Sequence, residues 1–179
     1  MRYWKRAVAG VAVLTMTVTA VAFGQTFNGD SGADCLQGAA TDDIVNGFAG
    51  EDYARGGAGA DTVSGGSQAD RAAGQDGFDD VYGGDGNDAS NILDPCYSGG
   101  GISVSNAGVF GGAGNDLVDG EDGNDRVSGD AGEDTMRGGQ GDDVREAADG
   151  ETDSVSGGAG YDTCYVGGAD TVSGCEDVH

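Results

Sequence analysis

Aspartate carboxylates are the side chains of this sequence best placed to do chemistry, because they recur at a fixed interval of nine residues. The first run is Asp34, Asp43, Asp52, Asp61, Asp70, Asp79 and Asp88, and the second is Asp116, Asp125, Asp134 and Asp143. The interval then drifts through Asp153, Asp162 and Asp170. Carboxylates are hard oxygen ligands, which suit Ca²⁺ with its 6–8 oxygen atoms. The spacing therefore predicts repeated binding of a divalent cation.

Each aspartate closes a glycine-rich stretch, and the two together define a nine-residue unit, Gly-Gly-x-Gly-x-Asp-x-apolar-x. Residues 56–64 and 111–119 are clear examples. Glycine permits the positive φ values of tight turns and lets carbonyl groups approach a metal. The eighth position is predicted to point from a short strand into a thin core. It holds Leu36, Val45, Val63, Val81, Val118, Val127, Met136, Val155 and Val172.

The composition explains why such a chain would need a cation to become ordered. It has 179 residues with 38 Gly, 1 Pro, 32 acidic and 8 basic residues. High net charge and few apolar residues are typical of disorder, and one inward apolar residue per unit is little core. Metal coordination must supply the remaining stability. Nucleic acid is excluded as a partner because the charge has the wrong sign.

The repeats resemble the hemolysin-type calcium-binding nonapeptide (RTX) repeats over nearly the whole chain after residue 24. The resemblance implies an all-β fold, a parallel β-roll (β-solenoid) with two units per coil. It also implies several Ca²⁺ ions between same-side turns, so that partner aspartates lie 18 residues apart, as Asp61 and Asp79 do. The implied ligands are Asp43, Asp52, Asp61, Asp70, Asp79, Asp88, Asp116, Asp125, Asp134, Asp143 and Asp162. Alternatively, an individual carboxylate only solvates its turn.

Several units depart from the formula. Thr41 and Gln68 stand where glycine is expected, and Ser90 and Arg145 occupy the apolar eighth position. Since an unpaired arginine is unfavourable in a core, and a ten-residue step follows, we expect a bulge at Arg145. The pattern predicts calcium occupancy least firmly at Asp34, Asp70, Asp153 and Asp170.

The domain organisation follows from where the repeat pattern begins and breaks. Residues 1–24 have a basic start, an apolar run and the small-x-small sequence at 20–22, and they predict a secretory signal peptide. The alternative is a retained membrane anchor, for which the run is short. Residues 25–91 form the first block and residues 111–179 the second, with a C-terminal cap. Residues 92–110 interrupt them, either as degenerate coils without metal or as a loop or hairpin, and the alternation at Ile102 and Val104 favours an added strand.

Four cysteines in an exported chain predict two disulfides. Cys164 and Cys175 lie in neighbouring units, so we expect them to pair and to pin the last coil. Cys35 and Cys96 are then left for each other. No Cys-x-x-Cys motif occurs and His179 is the only histidine, which makes a zinc site improbable.

The predicted function is secreted, non-catalytic calcium binding, with folding driven by Ca²⁺ and a structural or surface-associated role. A catalytic triad needs a histidine within the fold, and no nucleophile elbow, phosphate loop or dinucleotide motif occurs. The alternative is calcium-dependent adhesion or recognition at a glycan or protein surface. We expect neither nucleic-acid binding nor membrane insertion, and the sequence does not identify a macromolecular partner.

Overall fold

Each unit contributes one strand and one turn, and most strands cover the last three residues of one unit and the first three of the next. The computed structural model describes residues 24–88 and 108–179, together with the backbone of residues 92–93 and 103–104. All regular elements in this part are strands. In chain order they are β1 Thr26–Asn28, β2 Cys35–Gln37, β3 Ile44–Ala49, β4 Tyr53–Gly59, β5 Thr62–Ser67, β6 Arg71–Gly77, β7 Asp80–Asp85, β8 Ile92–Leu93, β9 Ser103–Val104, β10 Gly108–Ala113, β11 Leu117–Asp122, β12 Arg126–Ala131, β13 Thr135–Gln140, β14 Val144–Ala147, β15 Ser154–Ala159, β16 Thr163–Val166, β17 Thr171–Ser173 and β18 Asp177–Val178.

Successive strands alternate between two parallel sheets of eight strands. One sheet has the order β1-β3-β5-β7-β11-β13-β15-β17, and the other has the order β2-β4-β6-β10-β12-β14-β16-β18. Neighbouring strands are two units apart in sequence, so Val45, Val63 and Val81 stand in register. The predicted all-β parallel β-roll is confirmed.

The core is a single layer of side chains between the two sheets, supplied mainly by the eighth position of each unit. The predicted core residues are buried from Leu36 to Val155, and Val172 is partly buried. Ala54, Ala72 and Cys164 at the same position were not predicted, because alanine and cysteine carry little apolar signal. The core also contains Phe27, Val109 and Ala147.

The interruption is an insertion between two residues of one unit. Gly108 pairs with Arg71, 37 residues before it, whereas Arg71 pairs with Tyr53 at the usual distance of 18. Since β10 lies directly beside β6, no degenerate coil lies between them. Within the interruption β8 and β9 pair antiparallel, as in the hairpin alternative. The second block therefore begins at Gly108, three residues before the predicted boundary. Val109 occupies the core position that the repeat pattern assigned to Ser90. Ser90 itself lies outside the described residues.

The expected bulge at Arg145 is wrong. Strand β14 keeps its register on both sides, with Arg145 opposite Val127 and Cys164. The extra residue lies instead in the turn that follows β14, where a loop absorbs it without breaking a ladder.

The C-terminal end is closed as the sequence predicts. Cys164 and Cys175 form a disulfide with a Cα–Cα distance of 6.1 Å, and β18 pairs with β16. Cys35 is also disulfide-bonded, and its predicted partner Cys96 lies outside the described residues. The predicted signal peptide lies outside them as well, except for its last residue. In the described part of the chain, no helix is long and apolar enough to cross a membrane.

Candidate metal centres

The roll gathers the repeated aspartates into two rows, one along each edge where the chain passes between the sheets. We call them the β2 row and the β3 row, after the first strand that each set of turns leads into. Every member is buried except Asp170, which is half-buried. The β2 row is Asp34, Asp52, Asp70, Asp88, Asp125, Asp143 and Asp162, and the β3 row is Asp43, Asp61, Asp79, Asp116, Asp134, Asp153 and Asp170.

One carboxylate oxygen of each aspartate links it to the preceding coil. The amide of Asp61 donates to Oδ1 of Asp79 at 2.8 Å, and the amide of Asp70 donates to Oδ1 of Asp88 at 2.8 Å. The same bond joins successive members along both rows. The predicted same-side partners are thus neighbours, and Oδ1 of every row member after Asp34 accepts a backbone amide. The rows hold their spacing because every coil adds one strand to each sheet.

The second carboxylate oxygen is left without a partner through most of both rows. It is buried and accepts no hydrogen bond from the described residues at Asp52, Asp61, Asp70, Asp79, Asp88, Asp116, Asp125, Asp143 and Asp162. A buried polar atom with no partner is costly, and a charged one more so. A cation beside these atoms would remove the penalty. Asp34 and Asp43 differ, since amides of their own turns donate to their Oδ2 atoms.

A glycine cradle surrounds each unpartnered oxygen. We define it as the glycine at the first position of a unit, Oδ2 of the aspartate in that unit, and the carbonyl oxygen of the first-position glycine in the next coil. A Cβ atom at Gly65 would lie 2.6 Å from the carbonyl oxygen of Gly83 and 2.8 Å from Oδ2 of Asp70. Only glycine leaves this space open. Carboxylate and carbonyl oxygens therefore converge there, which is the donor set that Ca²⁺ prefers.

Within the described residues, no point brings together three or more His, Cys, Asp or Glu side chains. Any cation in these rows must therefore take part of its coordination from backbone carbonyls. Thiolate and imidazole ligands, which favour zinc, are not part of the cradles. The donor chemistry fits a hard, oxygen-seeking cation.

Burial raises the pKa of the row carboxyls, because the charged form loses its hydration. Desolvation raises the pKa of Asp70 and Asp125 to about 8, against the opposing hydrogen bonds from the backbone. The pKa of Asp88 and Asp116 rises to about 7 for the same first cause. It rises to about 6 at Asp52, Asp61, Asp134 and Asp143. Without a counter-charge, the ionised rows are electrostatically unfavourable at neutral pH. A bound cation would offset this cost.

The departures in the turns are accommodated locally. Gln68 adopts a φ of 88°, so the chain keeps the left-handed conformation for which glycine is expected at this position. Thr41 lacks that conformation, and its hydroxyl donates to Oδ1 of Asp43 at 3.1 Å. Neither change removes its aspartate from the row.

Sequence reasoning missed the continuity of the rows at two places. Asp88 and Asp125 are neighbours across the insertion, with the amide of Asp88 2.8 Å from Oδ1 of Asp125. The sequence signal was present, because residues 108–110 supply the last three positions of the unit whose sixth position is Asp88. At the C-terminus the amide of Asp162 donates to Oε2 of Glu176 at 2.9 Å. A glutamate ends the β2 row there, which the aspartate of the repeat formula does not predict.

The parallel sheets, the glycine turns and the two rows of carboxylates define the class as a calcium-binding β-roll protein. A family model for the RTX calcium-binding nonapeptide repeat (4 copies) matches residues 28–63, 64–89 and 110–144, which is more than half of the chain. The chain belongs to this family, which binds calcium. A comparison with curated proteins finds no match.

Proposed function

We propose that this protein is exported, that its roll folds as it binds several Ca²⁺ ions along the β2 and β3 rows, and that it serves a non-catalytic structural or surface-associated role. The ligands are the predicted aspartates, Asp43 to Asp88, Asp116 to Asp143 and Asp162, together with carbonyl oxygens of the glycine cradles. The observation that supports this proposal most directly is the series of buried Oδ2 atoms without protein partners.

The charge balance supports folding that depends on metal. Residues 25–179 contain five arginines against 32 acidic residues, a net charge near −27. Parallel strands stack about 4.8 Å apart, so the carboxylates of successive turns are held close together. One apolar side chain per unit does not offset the entropy of ordering a glycine-rich chain. Each Ca²⁺ neutralises two charges and joins two turns, so neighbouring sites assist each other.

Export supplies the calcium in this proposal. Residues 1–24 have the pattern of a secretory signal peptide, and the chain remains loose where calcium is scarce. Outside the cell, where calcium is millimolar, the roll forms. A non-catalytic role is supported by the site chemistry, since the rows use aspartate and backbone oxygen and the one histidine, His179, stacks on Tyr165 at the C-terminal end.

Circular dichroism of the protein with residues 1–24 removed tests calcium-driven folding. In excess chelator we expect loss of most of the β signal, and calcium should restore it cooperatively. Mg²⁺ should substitute poorly, since it demands near-octahedral geometry and retains its waters. A chelated chain with the full β signal and a sharp thermal transition would contradict the proposal.

Calorimetric titration tests the assignment of ligands. Asp61→Ala with Asp79→Ala removes two neighbours of the β3 row, so we expect fewer bound ions. Loss of supporting groups alone costs about 10–100-fold in metal affinity, and loss of two ligands should raise the calcium midpoint at least as far. Asp80→Ala is the matched control, because Asp80 follows Asp79 directly and its side chain is exposed. Equal curves for the double variant and the control would show that these carboxylates only solvate turns.

Calcium-dependent adhesion is the second candidate function, and a surface patch beside the insertion favours it. Arg55 lies over the ring of Tyr53 at 4.3 Å, and Arg71 lies over the ring of Phe110 at 4.5 Å. Arg55, Arg71 and Phe110 line an open groove on the outer face of strands β4, β6 and β10. Arginines stacked on aromatic rings offer both charge and a flat apolar surface to an acidic glycan or protein. Glycan-array binding by the calcium-loaded protein, lost in Arg55→Ala, would support adhesion, and no binding would count against it.

A further inference from the structure

Arg145 is the largest fully buried side chain in the described part of the chain, with no exposed surface. It occupies the inward eighth position of its unit, opposite Val127 and Cys164 of the adjacent strands. An arginine on a column of apolar residues needs a specific counter-charge, because an isolated buried cation is strongly unfavourable.

The counter-charge comes from two successive members of the β2 row. Nη2 of Arg145 lies 2.9 Å from Oδ1 of Asp162 and 3.8 Å from Oδ2 of Asp143, and both carboxylates are fully buried. The side chain thus extends from the core back to the turns, between the two coils. The valines that occupy this position in several other units, such as Val127, are too short to reach them.

The guanidinium group lies in the glycine cradle of these two turns. A Cβ atom at Gly138 would lie 2.5 Å from Nη2 of Arg145 and 2.5 Å from the carbonyl oxygen of Gly157, with Oδ2 of Asp143 also in contact. At the other first-position glycines that the structure describes, the three nearest atoms belong to carboxylates, carbonyls or apolar groups. Among the cradles that the structure describes, the one between Asp143 and Asp162 therefore already contains a positive charge.

The remaining arginines of the described residues lie on the outer faces of the sheets. Arg126 pairs with Glu146 at 2.7 Å, and Arg137 lies 3.5 Å from Asp119. Arg55 and Arg71 stack on aromatic rings of the outer face. Arg145 reaches a row of buried carboxylates, where its charge opposes the effect of burial on the pKa of Asp143 and Asp125.

The same coil departs from the calcium-binding formula at its next turn as well. Ala147 stands at the first position, where the cradles have glycine, and it is buried in the core. Asp134 and Asp153 are 19 residues apart instead of 18, although the amide of Asp134 still donates to Oδ1 of Asp153 at 2.8 Å. Both turns flanking β14 thus differ from those of the regular coils.

We propose that the guanidinium group of Arg145 takes the place of a calcium ion between the turns of Asp143 and Asp162, so that this interval of the β2 row binds no metal. As ligands, Asp143 and Asp162 then act only toward their other neighbours in the row, Asp125 and Glu176. A calcium ion there would face a fixed positive charge within the same cradle. The arginine neutralises one of the two carboxylates and joins the two coils before any metal binds. The coil next to the disulfide-closed C-terminus consequently depends less on calcium than the coils of the first block.

This inference rests on the proposed calcium binding between the other neighbouring aspartates of the rows. One structure determination tests the proposed function and the role of Arg145 separately. In crystals of the wild-type protein grown with saturating CaCl₂, anomalous difference maps should show ions along the rows and none between Asp143 and Asp162. A peak at that interval overturns the inference and leaves the proposed function intact. If no interval of either row holds an ion, the proposed function itself fails.

Titration of variants tests the same point in solution. Arg145→Val restores the residue type found at Val127 and empties the cradle of its cation, so we expect one additional bound calcium ion per chain. The refolding midpoint of the variant should also shift to higher calcium concentration, because the ion now has to supply the missing charge. Arg137→Val is the matched control, and its count should equal that of the wild type. An Arg145→Val protein that folds in calcium with an unchanged count overturns the inference.

Arg145→Val is expected to fold only when calcium fills the emptied cradle. If it does not fold, Arg145→Val with Asp162→Asn provides the second variant, because it removes one carboxylate together with the cation. The double variant should fold in calcium without gaining an ion over the wild type. A double variant that gains an ion, or that also fails to fold in calcium, contradicts the role of Arg145 as a substitute for the metal.

Discussion

The amide of Asp79 donates a hydrogen bond to Oδ1 of Asp116 at 2.7 Å, although the two residues are 37 positions apart. The equivalent bond between Asp61 and Asp79, at the regular distance of 18, is 2.8 Å long. The β3 row is therefore as tight across the insertion as it is within a block. The insertion adds residues to the chain and adds no coil to the roll.

Removal of the insertion should leave the calcium sites unchanged. We expect a protein that lacks residues 89–107 to bind the same number of calcium ions with the same midpoint, because Asp88 would then be followed directly by Gly108. Cys35→Ser is included, since Cys96 is lost with the segment. Calorimetry and circular dichroism would measure the result.

The control for this deletion lacks residues 89–106 and so retains one extra residue. A shift of one residue moves a strand's side chains to the opposite face, so Val109 would leave the core. We expect a lower thermal midpoint and weaker calcium binding. Equal behaviour of the two deletions would show that the roll does not continue in register through residues 88 and 108.

Alanine at Gly65 should weaken the site that Gly65 shares with Asp70 and Gly83. The added Cβ atom would lie 2.6 Å from the carbonyl oxygen of Gly83, and overpacking of this kind costs about 1–3 kcal/mol. We expect a higher calcium midpoint in a titration followed by circular dichroism. Gly168→Ala is the control, since a Cβ atom there meets nothing within 4 Å. If both substitutions have the same effect, the cradle is not a close-packed site.

Acid should partly replace calcium in the metal-free protein. The pKa of Asp70 and Asp125 in the roll is about 8, and an aspartate of an unfolded chain has a pKa of about 3.9. The folded state therefore binds more protons between these values, so its stability is greatest below pH 4 and is lost as the pH rises through 6–8. We expect calcium-stripped protein to show more β signal at pH 5 than at pH 8.

Asp70→Asn provides the control for this pH effect, because the amide resembles a carboxyl that stays protonated. Its metal-free form should depend less on pH than the wild type. A β signal that is constant, or that is larger at pH 8, would contradict the unfavourable burial of the row carboxylates.

Loss of the Cys164–Cys175 disulfide should loosen the C-terminal end alone. The two cysteines are separated by 11 residues, and closing a loop of this size contributes up to about 3 kcal/mol. With both replaced by alanine, amide hydrogen exchange should become faster in β16, β17 and β18. Amides of β5 and β7 are the internal reference and should not change. Uniform acceleration over the whole roll would contradict a local capping role.

The repeat made most of the fold and of the candidate site predictable. Each nine-residue unit specifies most of its own local structure, since its turn, its inward residue and the start of its strand lie within nine positions. The eighth-position residues and the 18-residue spacing of Asp61 and Asp79 therefore followed from pattern alone. Small core residues such as Ala54 did not, because their burial depends on the neighbouring coils.

The sequence by itself determined the period, the acidic rows and the kind of cation that suits them, because these properties are local and repeated. The tertiary structure alone decided which units meet where the period breaks. It places Asp88 beside Asp125, ends the β2 row at Glu176, and directs Arg145 between Asp143 and Asp162. These contacts depend on strand register and on the reach of a side chain between coils. A one-dimensional pattern contains neither, since each arises only when two distant segments stack.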